Sequence, residues 1–215
     1  MKWISFGCNS TYGNLLTQNV TADSKTSTVE HSYNSSTGQK AWTNDPDKGK
    51  WYYTFNAWGQ LLTQKTARNH TSTLKYDGLG RKVRMDRAGV STLCWNYDPS
   101  GAFGMLGSAV LYGSGGVNCS SPGSATVKES SSYTYNADKQ TVSVTKFRGG
   151  QSFTTTNGYD SLGRVDTVTY PTGTQNFKTK SYYNSHGYLY KTVNAYNTSE
   201  VYTQVVGMNE WGKVS

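Results

Sequence analysis

One short pattern recurs along this chain at near-constant spacing and limits its fold more than any other feature. It reads aromatic residue, Asp or Asn, two further residues, then Gly. Copies stand at Phe55-Asn56…Gly59, Tyr76-Asp77…Gly80, Tyr97-Asp98…Gly101, Tyr159-Asp160…Gly163 and Tyr183-Asn184…Gly187. Met208-Asn209…Gly212 keeps the turn without the aromatic, Tyr135-Asn136 has Lys139 in the glycine's place, and a worn copy surrounds Tyr12-Gly13-Asn14. From Asx to Asx the steps are 21, 21, 38, 24, 24 and 25 residues, a repeat of twenty-odd residues carrying one insertion. Self-similarity at such a period marks a repeat architecture.

The residue chemistry says what is repeated. An Asp or Asn side chain at the head of a turn accepts a hydrogen bond from a backbone N–H two residues on. A Gly at its end supplies the positive φ that short hairpin loops need. The residues two beyond each turn position are Leu15, Leu61, Lys82, Phe103, Val165, Leu189 and Val214; six of the seven are apolar in a chain only 34% hydrophobic, as a strand with one buried face requires. Thr, Tyr and Val favour pleated, half-buried surfaces, and no window holds a 3.6-residue apolar period. The expectation is an all-β chain of antiparallel hairpins laid side by side.

The organisation follows. Residues 1–215 read as a single array of about eight repeats. Residues 1–50 are irregular, with strands at Asn14–Val20 and Ser27–Tyr33 and a polar loop from Asn44 to Gly49. Regular repeats run from 50 to 112, with Ala102–Tyr112 read as strand. Residues 113–124 form a Gly/Ser-rich inserted loop, and 125–215 return to register, with Pro171-Thr172-Gly173 a turn and the last repeat cut short at Ser215. That ending is expected of a segment of a longer protein or a shortened member of its family.

Two of the turns carry a resemblance. YDGLGR at Tyr76–Arg81 and YDSLGR at Tyr159–Arg164 resemble the YD repeat of the Rhs family, as do STYGNLLTQ, GKWYYTFNAWGQLLTQ and NGYDSLGRVDTVTYPTGTQNFKTKSYYNSHG. That family includes polymorphic bacterial toxins, the B and C components of insecticidal toxin complexes, and the animal teneurins. The resemblance spans about Tyr12 to Val214. It implies a continuous, spiralling sheet that in the toxins closes into a hollow shell around a C-terminal effector. An array this short would be an open, curved segment of such a shell, secreted or at the cell surface with its parent protein. Its expected partners are the rest of that protein and the effector, and its unpaired sheet edges invite self-association.

Other chemistry is sparse. The net charge of +8 invites a nucleic-acid reading, but Lys and Arg are scattered singly and the densest run is Arg81–Arg87, so a solvated surface is expected instead. Cys8, Cys94 and Cys119 lie in no CxxC. In an exported protein a Cys94–Cys119 bridge would tether the inserted loop; two unpaired thiols are the alternative. No GxSxG, HExxH or phosphate-loop motif occurs, so neither catalysis, metal nor cofactor is expected. Asp98-Pro99-Ser100-Gly101 resembles the family's self-cleaving Asp-Pro-x-Gly but falls in the ordinary turn frame. The start of the chain has no signal-peptide core, and no membrane span occurs. One competing function remains: Trp42, Trp51, Trp58 and Trp95 could stack on cell-surface glycan, making the sheet an extracellular carbohydrate-binding or adhesion module.

Overall fold

A computed structural model of the protein describes residues 2–8, 13–171, 177–207, 209, 211 and 213. Every regular element among them is a β-strand, and no helix is long and apolar enough to cross a membrane. The chain divides into two compact units, Met1–Trp95 with Leu111–Val127, and Asn96–Val110 with Lys128–Ser215.

The first unit is built from β1 (Lys2–Cys8), β2 (Leu15–Ala22), β3 (Lys25–Tyr33), β4 (Lys40–Asp45), β5 (Gly49–Phe55), β6 (Leu61–Lys65), β7 (Thr71–Tyr76), β8 (Lys82–Arg87) and most of β9 (Ser91–Tyr97). Each pairs antiparallel with the next along the chain. The second unit holds most of β10 (Leu106–Tyr112), then β11 (Val127–Tyr135), β12 (Thr141–Arg148), β13 (Gln151–Tyr159), β14 (Val165–Tyr170), β15 (Phe177–Tyr183), β16 (Leu189–Asn194) and β17 (Val201–Gln204). From β11 onward each again pairs antiparallel with the next. The expected all-β fold of hairpins laid side by side is the fold of this chain.

Residues directly opposite in an antiparallel pair share a face. In the first unit the register Thr54↔Thr63↔Thr73↔Asp86↔Thr92 therefore draws a polar row across β5 to β9 on one face. Leu74↔Met85↔Leu93 draws an apolar row on the other, with Leu74 buried. Only eight of the described residues fall fully inside, among them Cys94, Thr92, Tyr112 and Val117 in the first unit and Val193 and Thr179 in the second. With so thin a core, the backbone ladder and its side-chain props carry more of the fold than burial does.

The register slips by one residue just before most of the Asx turns, at Ser32/Tyr33, Thr54/Phe55, Lys75/Tyr76, Thr134/Tyr135, Gly158/Tyr159 and Tyr182/Tyr183. Such a bulge is what a turn closed by a positive-φ residue produces.

Several expectations need correction. β1 and β4 were not foreseen as strands. β4 runs through Asn44 and Asp45, read as loop, because both side chains are occupied: Asn44 Nδ2 donates to Glu30 Oε2 on β3 at 3.0 Å, and Asp45 Oδ1 accepts the N–H groups of Asp47 and Lys48 in the following turn. β10 begins at Leu106 rather than Ala102. The turn expected at Thr172-Gly173, together with Tyr12, Met208, Gly212, Val214 and Ser215, lies outside the described residues.

Candidate functional site: a turn ladder and a clasped loop

The Asx turns share one geometry. Asp77 N–H donates to the Arg81 carbonyl and Gly80 N–H to the Asp77 carbonyl, each at 3.0 Å, while Asp77 Oδ1 accepts the N–H groups of Leu79 and Arg81. Gly80 closes the turn at φ 79° and Gly163 its equivalent at 76°. Asp160 repeats the bonds of Asp77 with Leu162 and Arg164, Asn184 does so with His186 and Tyr188, and Asn209 with Trp211 and Lys213. The other carboxylate oxygen takes Arg81 Nε at 2.7 Å, and Arg164 Nε at 2.8 Å in the Asp160 copy. In the Asn56 and Asn136 copies the partner is Gln: Asn56 Nδ2 donates to Gln60 Oε1 at 2.7 Å and Asn136 Nδ2 to Gln140 Oε1 at 2.8 Å.

These contacts set the carboxylates' proton affinity. Burial pushes Asp77 up, but the Arg81 guanidinium and the N–H groups of Arg81 and Leu79 outweigh it and hold the carboxyl below its usual range. The Arg164 N–H does most to hold Asp160 down, against a smaller opposing effect of burial.

The aromatic residue of the pattern has a role that its spacing did not disclose. Five of the repeat tyrosines donate their hydroxyl to a backbone carbonyl one hairpin back: Tyr33 to Leu15 at 3.0 Å, Tyr76 to Leu61 at 2.9 Å, Tyr135 to Leu106 at 2.8 Å, Tyr159 to Thr141 and Tyr183 to Val165 at 2.7 Å. The residue after the turn reaches the other way. Gln39 Nε2 donates to the Asn56 carbonyl, Gln60 Nε2 to Gly80 and Gln140 Nε2 to Gly163, while the Arg164 guanidinium lies 4.3 Å over the Tyr183 ring. Tyr33-Asn34…Gly38 belongs to this series although its turn holds one residue more.

Two copies depart from the pattern. At Tyr97-Asp98 the loop runs on to Met105, whose carbonyl accepts the Asp98 N–H at 2.9 Å, and Asp98 Oδ1 accepts the Gly104 N–H at 2.6 Å. Gly104, not Gly101, thus takes the closing place, and Leu106, not Phe103, begins the strand; Phe103 is left exposed. Asp98 and Gly101 therefore do not fall in the ordinary turn frame. Lys139 adopts the left-handed conformation itself, φ 60°, and its ammonium donates to the Phe103 carbonyl at 3.1 Å.

The inserted loop lies against β8 and β9. Cys94 and Cys119 form a disulfide, with Cα atoms 5.6 Å apart. Beside it, Asp86 Oδ1 accepts the Gly116 N–H at 2.6 Å and lies 2.7 Å from the Thr92 hydroxyl. That hydroxyl also lies 3.0 Å from the Ser114 carbonyl and accepts the Val117 N–H at 3.1 Å; having one proton, it favours the charged acceptor. Burial raises the Asp86 carboxyl, but the Gly116 N–H, the Thr92 hydroxyl and Arg84, 3.5 Å away, together hold it below its usual range. A Cβ on Gly115 would sit 2.7 Å from the Gly89 nitrogen, so the loop backbone packs directly on the β8–β9 turn.

The tryptophans differ sharply in setting. Trp42 is capped by the Lys50 ammonium 3.8 Å from its ring centre, and Lys82 stands 5.4 Å over Trp95. Trp58 is 86% exposed at a turn tip. Trp51, its indole N–H tied to the Lys48 carbonyl, forms the wall shared by two grooves of about 610 and 360 Å³ at the far turns of the first unit. Asp47, Arg68, His70, Gln64 and Arg87 fringe them.

No family model and no curated protein matches this sequence. Solved structures do. The crystal structure of TcdB2-TccC3-Cdc42 superposes with a TM-score of 0.66 at 17% identity, over 93% of this chain and 12% of that one. The crystal structure of TcdB2-TccC3 without its hypervariable C-terminal region gives the same values. The chain shares their fold.

This chain spans about an eighth of the length of those proteins. The residues singled out by spacing fall into two groups. Tyr76, Asp77, Gly80 and Arg81, like Tyr159, Asp160, Gly163 and Arg164, form the bonded turn ladder; Asn56, Gly59, Tyr135, Asn136, Tyr183, Asn184, Gly187 and Asn209 hold corresponding places. Cys94 and Cys119 meet in the clasped loop. Asp86 and Thr92, which organise that loop, were missed because their contacts with Gly116 and Val117 lie 30 and 25 residues away in sequence, respectively.

Proposed function

We propose that this chain is a non-catalytic structural segment of an Rhs-type shell, exported within a longer polypeptide, that encloses or presents a toxin or effector carried at that polypeptide's C-terminal end. The observation that supports this most directly is the tyrosine ladder: five hairpins are each fastened by a tyrosine phenol to a carbonyl of the hairpin before. That device builds a wall by addition. It aligns hairpins rather than converging reactive groups on one point, as a reacting substrate would need. The fold likeness to TcdB2-TccC3 supports the same reading, and a hypervariable C-terminal region of the kind named for that protein is where the effector would lie. Sheet edges left without a neighbour would pair with the parent protein or, in the isolated chain, with another copy. Neither nucleic acid nor a cofactor enters this reading.

An immunoblot of the source cells and their medium tests it, using an antibody raised to this chain. The reactive band is expected at several times the 23.7 kDa of the present sequence, in the exported fraction. Lysine cross-linking of that species is expected to join this segment to the C-terminal region. A native band near the mass of the chain alone, or a long polypeptide without such cross-links, overturns the proposal.

A second reading, an extracellular carbohydrate-binding module, is favoured by the grooves at Trp51. An indole face held by its own N–H and fringed by Asp, Arg, His and Gln suits the apolar face and hydroxyl rim of a sugar. Saturable quenching of tryptophan fluorescence by tetragalacturonate, lost in Trp51→Ala and kept in Trp58→Ala, would support it; no saturation, or equal loss in both variants, would remove it.

A further inference from the structure

Cys94 and Cys119 are unequal partners. Cys94 sits on β9 with 1% of its surface exposed, whereas Cys119 lies half-buried in the inserted loop. A thiolate breaking a disulfide must approach one sulfur from the side opposite the other. With Cys94 buried on its strand and Cys119 partly exposed in the loop, the Cys119 sulfur is the more open of the two to an incoming thiolate. Attack at Cys119 expels Cys94 as the leaving thiolate. In the strand register Cys94 stands directly opposite Arg84, so the two side chains leave the same face of the sheet and a basic residue stands beside the leaving thiolate's strand position. Arg84 Nε is buried and has no hydrogen-bond partner among the described residues, which leaves it a donor to offer.

The second half of the observation is what remains when the bond is open. The loop keeps the Gly116 N–H on Asp86 and the Val117 N–H on Thr92, and Val117 and Tyr112 stay buried at 8% and 7% exposure. None of these depends on sulfur. A hydrogen bond to a charged group is stronger than one between neutral groups, which favours a loop that stays seated.

We propose that Cys94–Cys119 is an exchange site for an external dithiol, attacked at Cys119, and that Asp86 and Thr92 keep the loop docked while the bond is open. The chemistry balances. One thiolate of the dithiol forms a bond to the Cys119 sulfur as the Cys94–Cys119 bond breaks, and Cys94 leaves as a thiolate and takes up a proton. The second thiol of the dithiol, giving up its own proton, then attacks the mixed disulfide, leaving oxidised dithiol and two protein thiols, with both electrons supplied by the dithiol. Because the loop stays seated, the same two sulfurs remain in reach and the same bond reforms. The partner class is thus a dithiol oxidoreductase that works on the folded protein.

The test uses the chain in a Cys8→Ser background, which removes the exposed free thiol. Brief treatment of the native protein with reduced glutathione, acid quenching and peptide mass mapping is expected to place glutathione on Cys119 in at least tenfold excess over Cys94. Equal labelling, a preference for Cys94, or no adduct on native protein when unfolded protein reacts, each overturns the exchange site. Amide exchange is then followed at residues 114–118 after full reduction with dithiothreitol. Reduced protein is expected to keep protection within about threefold of the oxidised form, and reduced Asp86→Asn to lose at least tenfold while its oxidised form does not. Loss of protection in the reduced parent, or retention in reduced Asp86→Asn, overturns the clasp. Thr92→Val provides the same comparison should Asp86→Asn fail to fold.

Discussion

A single hydroxyl distinguishes the repeat tyrosine from the phenylalanine that replaces it at position 55. The ring packs in either case; only the phenol can reach the preceding hairpin's carbonyl. Tyr76→Phe and Tyr159→Phe are therefore each expected to lower stability by about 1 kcal/mol, shifting Tm down by about 2–4 °C in a chain of this size, measured by thermal melts. Tyr53, whose hydroxyl takes no such part in the ladder, provides the comparison: Tyr53→Phe is expected to leave Tm unchanged. The carboxylates carry a pH dependence. Asp77, Asp86 and Asp160 are all held below their ordinary range when folded, so the folded chain binds their protons less readily than the unfolded chain does. Their contribution is fully present above the unfolded value of about 3.9 and is lost as pH falls through the lower folded values. Denaturant midpoints are expected to hold from about pH 7 to 5 and to drop below about pH 4, and the drop should shrink in Asp77→Asn/Asp160→Asn. A flat acid profile in the parent would contradict this.

At the scale of hairpins, what could be read in advance was whatever repeats locally. Asp77…Gly80 announces its turn because every bond of the turn closes within five residues. The tyrosine's purpose was hidden because its acceptor lies 15 to 29 residues back and is a backbone carbonyl, which no side-chain pattern marks. β4 was hidden for a related reason: Asn44 and Asp45 look like breakers until Glu30 and the following turn are present to occupy them. The frame at Asp98 was misread since Gly101 and Gly104 both accept positive φ, and only the hydrogen bond from Gly104 to Asp98 decides between them. The inserted loop adds a steric expectation. Gly115→Ala would drive a methyl group into the Gly89 and Arg87 backbone, at 2.7 and 2.8 Å, so the loop must lift. Faster proteolysis between residues 113 and 125 is the expected result, whereas Gly116→Ala, with φ 80° but open space around it, should strain the turn without displacing it.

At the scale of the molecule, few of the described residues are fully buried and most contacts join a strand to its immediate neighbours. Stability in such an array is close to a sum of hairpin terms and nearest-neighbour terms. Unfolding is expected to proceed in parts: the denaturant slope should fall below that of a compact protein of the same length, and amide exchange should give different opening energies for Cys94's surroundings and for β16–β17. One sharp transition, coincident by fluorescence and circular dichroism, would show tighter coupling than the contacts imply.

The tyrosine bonds also have a direction. The phenols of Tyr33, Tyr76, Tyr135, Tyr159 and Tyr183 all point to chain already made, with the acceptor in the hairpin just completed. A polypeptide leaving a ribosome or a secretion channel can therefore lock each new hairpin as it emerges, without waiting for distant partners. Passed through a narrow pore in reverse, it can be unfastened one rung at a time. A sheet assembled in this manner is in effect a zip whose teeth are phenols, one that can close in the order of synthesis.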